Sequence, residues 1–151
     1  MTLRNKPTDK VSSCVQEIPS ERFAKTAIES SFRDFEDIRL GFSFKHFLDL
    51  QDQLGVSAAA LAEVLGIAPR TLQRRREDGR FAKDESDRIE RLERLISLAN
   101  DVLGDTRSAR SWLLRPQMAL SGLVPFEMAD TGPGVRAIER LLGQLDYGVY
   151  V

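Results

Sequence analysis

The chain has 151 residues, with 22 lysines and arginines against 23 aspartates and glutamates, and 42% of its residues are apolar. A chain of this size forms one domain or two small ones, and it can bury a core without metal ions or disulfides. Cys14 is the only cysteine, which excludes an intrachain disulfide and favours a reducing compartment. The sequence contains neither the ~18 to 20 apolar residues that span a bilayer nor a signal-peptide pattern after Lys10. We therefore expect a cytoplasmic protein that does not bind membranes.

The near-zero net charge conceals one strongly basic stretch. Residues 1–68 carry a net charge of −2, residues 69–83 carry +4, and residues 84–151 carry −3. Any attraction for a polyanion is therefore concentrated in fifteen residues.

Apolar residues recur at helical spacing from Ser20 onward, and no segment alternates with a period of two, so the predicted fold class is all-α. Residues 1–19 are polar and show no apolar period, which predicts a mobile tail. Ser43, Ser57, Asp84 and Thr106 are the expected caps of four of the helices. The helices are expected at about 20–38, 43–54, 57–65, 69–78, 84–103, 106–115 and 134–147, with short elements near 119 and 125.

Two of these helices are short and are joined by a tight turn. Only Gly66, Ile67 and Ala68 separate them, and Pro69 suits the first position of the second helix. Ala62 is small at the point where the two helices approach each other. The pattern predicts a helix-turn-helix, in which the second helix enters the major groove of DNA.

The second helix carries the candidate DNA contacts. Arg70, Gln73 and Arg74 share one helix face, and Arg and Gln can pair with the edges of guanine and adenine. The remaining candidates suit phosphate contacts: Thr71, Arg76, Arg80 and Lys83. An alternative is that the arginines form a solvated face with Glu77 and Asp78.

Four motifs in order resemble the Xre/MbcA/ParS family of antitoxins. They are LAEVLGIAPRTLQRRREDGRFAKDESDRIERLERL, A-x-x-W-L-x-x-P at 109–116, A-L-S-G-L-x-P-x-E at 119–127, and T-x-x-G-x-x-A-I-x-x-L-L-x-x-L-x-Y-G at 131–148. The resemblance covers about residues 43 to 151. It implies an Xre-like DNA-binding part followed by a toxin-binding domain that blocks the active site of a RES-domain, NAD-consuming toxin encoded beside it. It also implies repression of the pair's own promoter.

Arg75 stands where a helix-turn-helix usually has an apolar residue, but it falls on the basic segment of the resembling family, so the resemblance implies that it too binds DNA. Ala68 departs from the family pattern, which has Ser there, and removes a side-chain cap. The resemblance also places a set of residues on the toxin-binding pattern, most of which have a simpler explanation as core or turn residues: Trp112, Leu113, Pro116, Leu120, Gly122, Pro125, Gly134, Leu141, Tyr147 and Gly148.

The candidate toxin contacts are the residues near the end of the chain that we expect to stay partly exposed. Tyr and Arg dominate the binding energy of many interfaces, and this set is rich in both. Its members are Arg136, Arg140, Gln144, Tyr147 and Tyr150.

An enzyme is not expected. His46 is the only histidine and lies far along the chain from Cys14, so neither a Cys-His pair nor a histidine-based metal site can be built. We expect no catalytic residue, no metal, no cofactor and no small-molecule substrate.

The predicted division is a tail at 1–19, a helix-turn-helix domain at 20–104 and a toxin-binding domain at 105–151. The predicted partners are the RES-domain toxin, operator DNA and a second copy of the chain, because operators of such motifs are usually palindromic. The alternative is a protein-binding adaptor or a plain transcriptional regulator without a toxin partner.

Overall fold

The computed structural model describes residues 35–36 and 38–148. The predicted tail at 1–19 and most of the predicted helix at 20–38 lie outside these residues. The described part confirms the all-α prediction, since it contains no strand beyond two isolated bridges. Residues 35–36 and 38–40 are helical, as expected for the end of the predicted helix at 20–38. The α-helices that follow are α1 (Phe44–Leu54), α2 (Ala58–Val64), α3 (Pro69–Asp78), α4 (Lys83–Leu103), α5 (Thr106–Leu113), α6 (Pro125–Met128) and α7 (Gly132–Asp146), with a 3-10 turn at Met118–Leu120 between α5 and α6.

Side chains cap the starts of α1, α2, α5 and α7, and two of the caps were predicted at the wrong residue. Ser43 and Ser57 cap α1 and α2 as expected. Asp84 does not cap α4, because the carboxylate of Glu85 accepts a hydrogen bond from the Ala82 N–H at 2.7 Å and starts the helix earlier. Thr106 is likewise the first residue of α5 and not its cap, since the Asp105 carboxylate accepts from the Ser108 N–H at 2.9 Å.

One hydrophobic core runs through the described chain, and α4 is at its centre. The buried residues of α1 and α2 join those of α4, α5 and α7 in a single cluster. Along α4, Ile89, Leu92, Leu95, Ile96 and Ala99 are buried at the helical spacing that the sequence predicted. α4 packs against both α5 and α7, while α1 contacts α5 and α2 contacts α6. The N-terminal and C-terminal helices are therefore held by the same apolar residues.

The end of α3 is tied to the start of α1 by the backbone. The Phe44 N–H donates to the Gly79 carbonyl at 2.8 Å, and the Phe81 N–H donates to the Phe42 carbonyl at 2.9 Å. The fully buried hydroxyl of Ser86 accepts from the Phe42 N–H at 2.9 Å, which adds α4 to the junction. These bonds fix the direction in which the chain leaves α3.

Candidate functional site

The helices α2 and α3 meet at the tight turn that the sequence predicted. Gly66 has φ +61°, a conformation that favours glycine. The Ile67 N–H returns to the Ala62 carbonyl at 2.8 Å, and Ala62 is only 3% exposed. Ala68 precedes α3 without a side-chain cap, and Pro69 occupies its first turn. The geometry is that of a helix-turn-helix.

None of the ten residues of α3 is buried. Arg70, Gln73 and Arg74 are exposed together on its outer face, and Gln73 donates to the Glu77 carboxylate at 3.1 Å. Within the part of the chain that the structure describes, Arg70, Arg74 and Arg76 form no ion pair. Their guanidinium groups therefore remain available to phosphate or base edges.

Arg75 differs from its neighbours because its side chain points into the fold. Its Nε and Nη2 donate to the two carboxylate oxygens of Glu85 at 2.7 and 3.2 Å. The two side chains are 17% and 8% exposed, respectively. The hydrogen bond to Glu85 is the largest cause of a raised pKa for the Arg75 guanidinium. Arg75 is thus paired within the fold, and the DNA contact that the resemblance implies for it stays a prediction.

This ion pair also explains how Arg75 can stand at a position where a helix-turn-helix usually has an apolar residue. A charged residue there is tolerated because Glu85 of α4 neutralises it, and Asp78 adds a second contact at 3.5 Å. The same Glu85 carboxylate receives the Ala82 N–H that starts α4. Glu85 lies within the first of the four family motifs, but no role was assigned to it, and its only local signal was an acidic residue in the first turn of the helix after the basic segment.

The other predicted phosphate contacts surround α3. Thr71 is half-buried and Arg76 is exposed. Arg80 donates from Nη1 to the Gly41 carbonyl at 3.0 Å, which holds one end of its guanidinium while the residue as a whole stays exposed. Lys83 is exposed at the first position of α4. Arg76, Arg80 and Lys83 are therefore all exposed, within α3 or just after it in the chain.

In the C-terminal part, α7 has an apolar side and a polar side. Val135, Ile138 and Leu142 are 3%, 0% and 0% exposed, and they face the core. The predicted toxin contacts lie on the opposite side at a helical spacing of three to four: Arg136 and Arg140 are exposed, Gln144 is half-buried, and Tyr147, at the end of the helix, is 83% exposed. Tyr150 lies outside the described residues.

Sequence reasoning missed an apolar projection between α5 and α6. Gln117 and Leu123 close a tight turn through a backbone bridge, with Ser121 and Gly122 at φ +58° and +79°. Met118 is 90% exposed and Leu123 is 53% exposed. The sequence analysis identified the A-L-S-G-L segment only as a family motif and a short element near 119, and it did not predict the exposure of Met118 or Leu123.

Several of the residues that carry the C-terminal motifs are structural. Leu113, Pro125 and Gly134 are buried, and Trp112 packs against the core. At Gly134 the Met128 carbonyl comes so close that no side chain could be accommodated. These positions shape the domain, so they are not themselves candidate contacts.

The described residues hold no cluster of His, Cys, Asp or Glu that could bind a metal ion. His46 stacks on Phe42 at 4.4 Å and its Nε2 lies 2.7 Å from a Glu93 carboxylate oxygen, so it joins α1 to α4. None of the described helices is long and apolar enough to cross a membrane.

Comparison with known proteins matches two consecutive parts of the chain to family models. Residues 36–94 match the antitoxin Xre-like helix-turn-helix domain, and residues 98–148 match the antitoxin Xre/MbcA/ParS C-terminal toxin-binding domain. An Antitoxin Xre from Yersinia enterocolitica is 32% identical over 76% of this chain and 79% of its own length. Antitoxin Xre proteins from Pseudomonas putida and Photorhabdus laumondii are 38% and 34% identical over 52% and 59% of this chain, and over 50% and 62% of their own lengths. The chain therefore belongs to the Xre/MbcA/ParS family of antitoxins, a regulatory and non-enzymatic family whose members pair a DNA-binding motif with a toxin-binding domain.

Proposed function

We propose that this antitoxin neutralises a RES-domain, NAD-consuming toxin encoded beside it by blocking the toxin's active site, and that it represses its own operon. One observation supports the proposal above all. The exposed basic face of α3 and the domain that matches the toxin-binding family model share one hydrophobic core. The choice of a RES-domain toxin rests on the resemblance of the four sequence motifs.

The proposed operator contacts are those of the outer face of α3. Arg70, Gln73 and Arg74 reach base edges, where Arg can donate twice to guanine and Gln can pair with adenine. Thr71, Arg76, Arg80 and Lys83 hold the DNA backbone and supply the part of the affinity that does not depend on sequence. A homodimer would place two copies of α3 on the half-sites of a palindromic operator.

The proposed toxin contacts form the polar side of α7. Arg136, Arg140, Gln144 and Tyr147 lie there, and Tyr150 follows in the chain. We add the exposed Met118 and Leu123, because large apolar side chains on a tightly closed turn lose little entropy when a partner covers them. We also propose that the two functional domains divide near residue 104, with residues 20–104 serving DNA and residues 105–151 serving the toxin.

The first test is co-expression with the neighbouring open reading frame, followed by affinity capture and a growth assay. We expect the neighbour alone to stop growth and to consume NAD, and this chain to bind it and restore growth. Loss of rescue on changing Arg140 and Tyr147 to Ala, with folding retained, would place the contact on α7. A neighbour that neither binds nor inhibits growth would favour a transcriptional regulator without this toxin.

The second test is the salt dependence of DNA binding. For the proposed interface, the logarithm of the affinity for the promoter falls linearly with the logarithm of the salt concentration, and the promoter is preferred over unrelated DNA. A chain that binds the toxin but shows neither this salt dependence nor a preference for the promoter would be a protein-binding adaptor.

A further inference from the structure

Glu77 is an acidic residue on the side of α3 that is proposed to meet DNA. It follows Gln73 by four residues and Arg74 by three, so the three side chains lie on one side of the helix. A cleft of about 470 Å³ runs along this side, and Glu77 lines it together with Arg70, Thr71, Gln73 and Arg74. A carboxylate placed there repels the phosphates of DNA, so Glu77 lowers the affinity of α3 for any DNA.

Glu77 does not neutralise the arginines beside it. Asp78 and Glu85 both contact Arg75, whereas none of the ion pairs among the described residues includes Glu77. Its Oε1 instead accepts a hydrogen bond from Nε2 of Gln73 at 3.1 Å. This differs from the solvated face of arginines with Glu77 that the sequence left as an alternative, because the partner of Glu77 is the residue that is proposed to pair with adenine.

The hydrogen bond determines which way the Gln73 amide faces. An ionised carboxylate can only accept, so the amide nitrogen, and not the amide oxygen, must face Glu77. The nitrogen carries two hydrogens, and the second one stays free beside the amide oxygen. A free N–H beside a free C=O matches the N7 acceptor and the N6 amino group of adenine. An amide that is turned over presents its donor to that amino group, where it cannot pair.

We propose that Glu77 is a positioning residue for base recognition, which holds Gln73 in the orientation that selects an A·T pair. The inference rests on the proposed reading of the operator by α3. The charge of Glu77 has a separate effect, because it weakens the binding of all DNA sequences alike. An experiment can therefore distinguish the effect on base choice from the effect on overall affinity.

The first test measures which bases the full chain selects from a randomised duplex library. The unchanged chain is compared with Gln73→Ala, Glu77→Ala and the variant that carries both changes. We expect both single variants to lose preference for A·T at the same position of the selected sequence, with a loss of roughly fivefold or more for Glu77→Ala. The double variant should select the same bases as Gln73→Ala, because Glu77 acts through Gln73.

The overall affinity of the same proteins gives a second readout. Glu77→Ala should bind unrelated DNA more tightly than the unchanged chain does, since it removes a negative charge from the side that faces the phosphates. Damage to α3 would instead weaken the binding of every sequence. Asp49→Ala removes the same charge from an exposed position of α1, and as the control it should leave the base choice unchanged.

Each failure has its own signature. Loss of the A·T preference in Gln73→Ala but not in Glu77→Ala would overturn the role of Glu77 and leave the operator reading intact. Loss of preference at a different position in Glu77→Ala would also overturn it, because Glu77 would then contact a base itself. An unchanged chain without any base preference would overturn the proposed operator reading and this inference with it.

The second test examines the free protein in solution by NMR. The side-chain amide signals of Gln73 are identified by their absence from the spectrum of Gln73→Ala. Nitrogen relaxation should show that this amide is restrained in the unchanged chain and mobile in Glu77→Ala. Gln53 is exposed on α1 and serves as the control for an unrestrained amide. Equal mobility of the Gln73 and Gln53 side chains in the unchanged chain would overturn the positioning role.

Discussion

The helices α3 and α7 carry the two proposed interfaces, and they are held to the protein in opposite ways. α7 buries Val135, Ile138 and Leu142 and offers the opposite side to solvent. α3 buries no residue, and it is held by the partly covered Leu72 and by the ion pair between Arg75 and Glu85. A helix that must enter the groove of DNA has little surface left for apolar contacts. Its position therefore depends on a few polar groups, whereas α7 depends on the core.

Removing the apolar support of α7 has the largest expected effect. Leu142→Ala leaves a cavity at a fully buried site and is expected to cost about 2 to 5 kcal/mol of unfolding free energy. Because the core is continuous, chemical denaturation should show loss of both halves in one transition. Leu123→Ala, at a half-exposed position of the same domain, is the control and should change the stability little. A second, unaffected transition from the helix-turn-helix would contradict the shared core.

Breaking the polar support of α3 is expected to cost somewhat less. Glu85→Ala removes both the partner of Arg75 and the acceptor of the Ala82 N–H, and we expect a loss of about 2 to 3 kcal/mol because the remaining guanidinium is partly reached by water. Asp87→Ala, which breaks an exposed pair with Arg91 on the same helix, is the control and should cost less than about 0.5 kcal/mol.

The double variant Arg75→Met with Glu85→Leu tests whether apolar side chains can replace the ion pair in holding α3. Apolar side chains of similar size are expected to recover part of the stability that Glu85→Ala loses, since they leave no buried charge without a partner, while the Ala82 N–H still lacks its acceptor. Thermal unfolding and promoter binding of the same samples would check this. A double variant that is less stable than Glu85→Ala alone would show that the ion pair has no apolar substitute.

Arg74 and Arg140 allow the two interfaces to be separated. Both residues are exposed, so neither substitution by Ala should unfold the protein. Arg74→Ala is expected to weaken promoter binding by about 1 to 3 kcal/mol while leaving toxin binding unchanged, and Arg140→Ala should do the reverse. Titrations of both variants with DNA and with toxin would decide this, and parallel loss of both activities in either variant would reject separate surfaces.

The sequence alone was enough to predict those elements whose signals lie within a few neighbouring residues. The glycines that end α1 and α3, the serine caps and the apolar period of α4 each report on their own few residues, and the structure has them as predicted. The direction of Arg75 depends on Glu85, ten residues away on another helix, and no periodicity links the two. The exposure of Met118 was missed for a similar reason, because a closed turn places an apolar residue outside while its neighbour Leu120 packs on the core.

The smallest predicted effect concerns Asp105, which caps α5 just after α4 ends. Hydrogen bonds from the Ser108 hydroxyl and backbone N–H lower the pKa of Asp105 below its usual value of 3.8. A carboxylate whose pKa is lower in the folded state stabilises the protein above its unfolded pKa, and that contribution is lost as the pH falls through the folded value. Asp105→Ala should therefore lower the Tm slightly at neutral pH, and the difference from the unchanged protein should shrink as the pH falls below 3.8. Asp105→Ser keeps a capping oxygen without a titrating group, so its Tm difference should stay constant with pH. A constant difference for Asp105→Ala as well would mean that the charge contributes nothing and that the cap acts through the hydrogen bond alone.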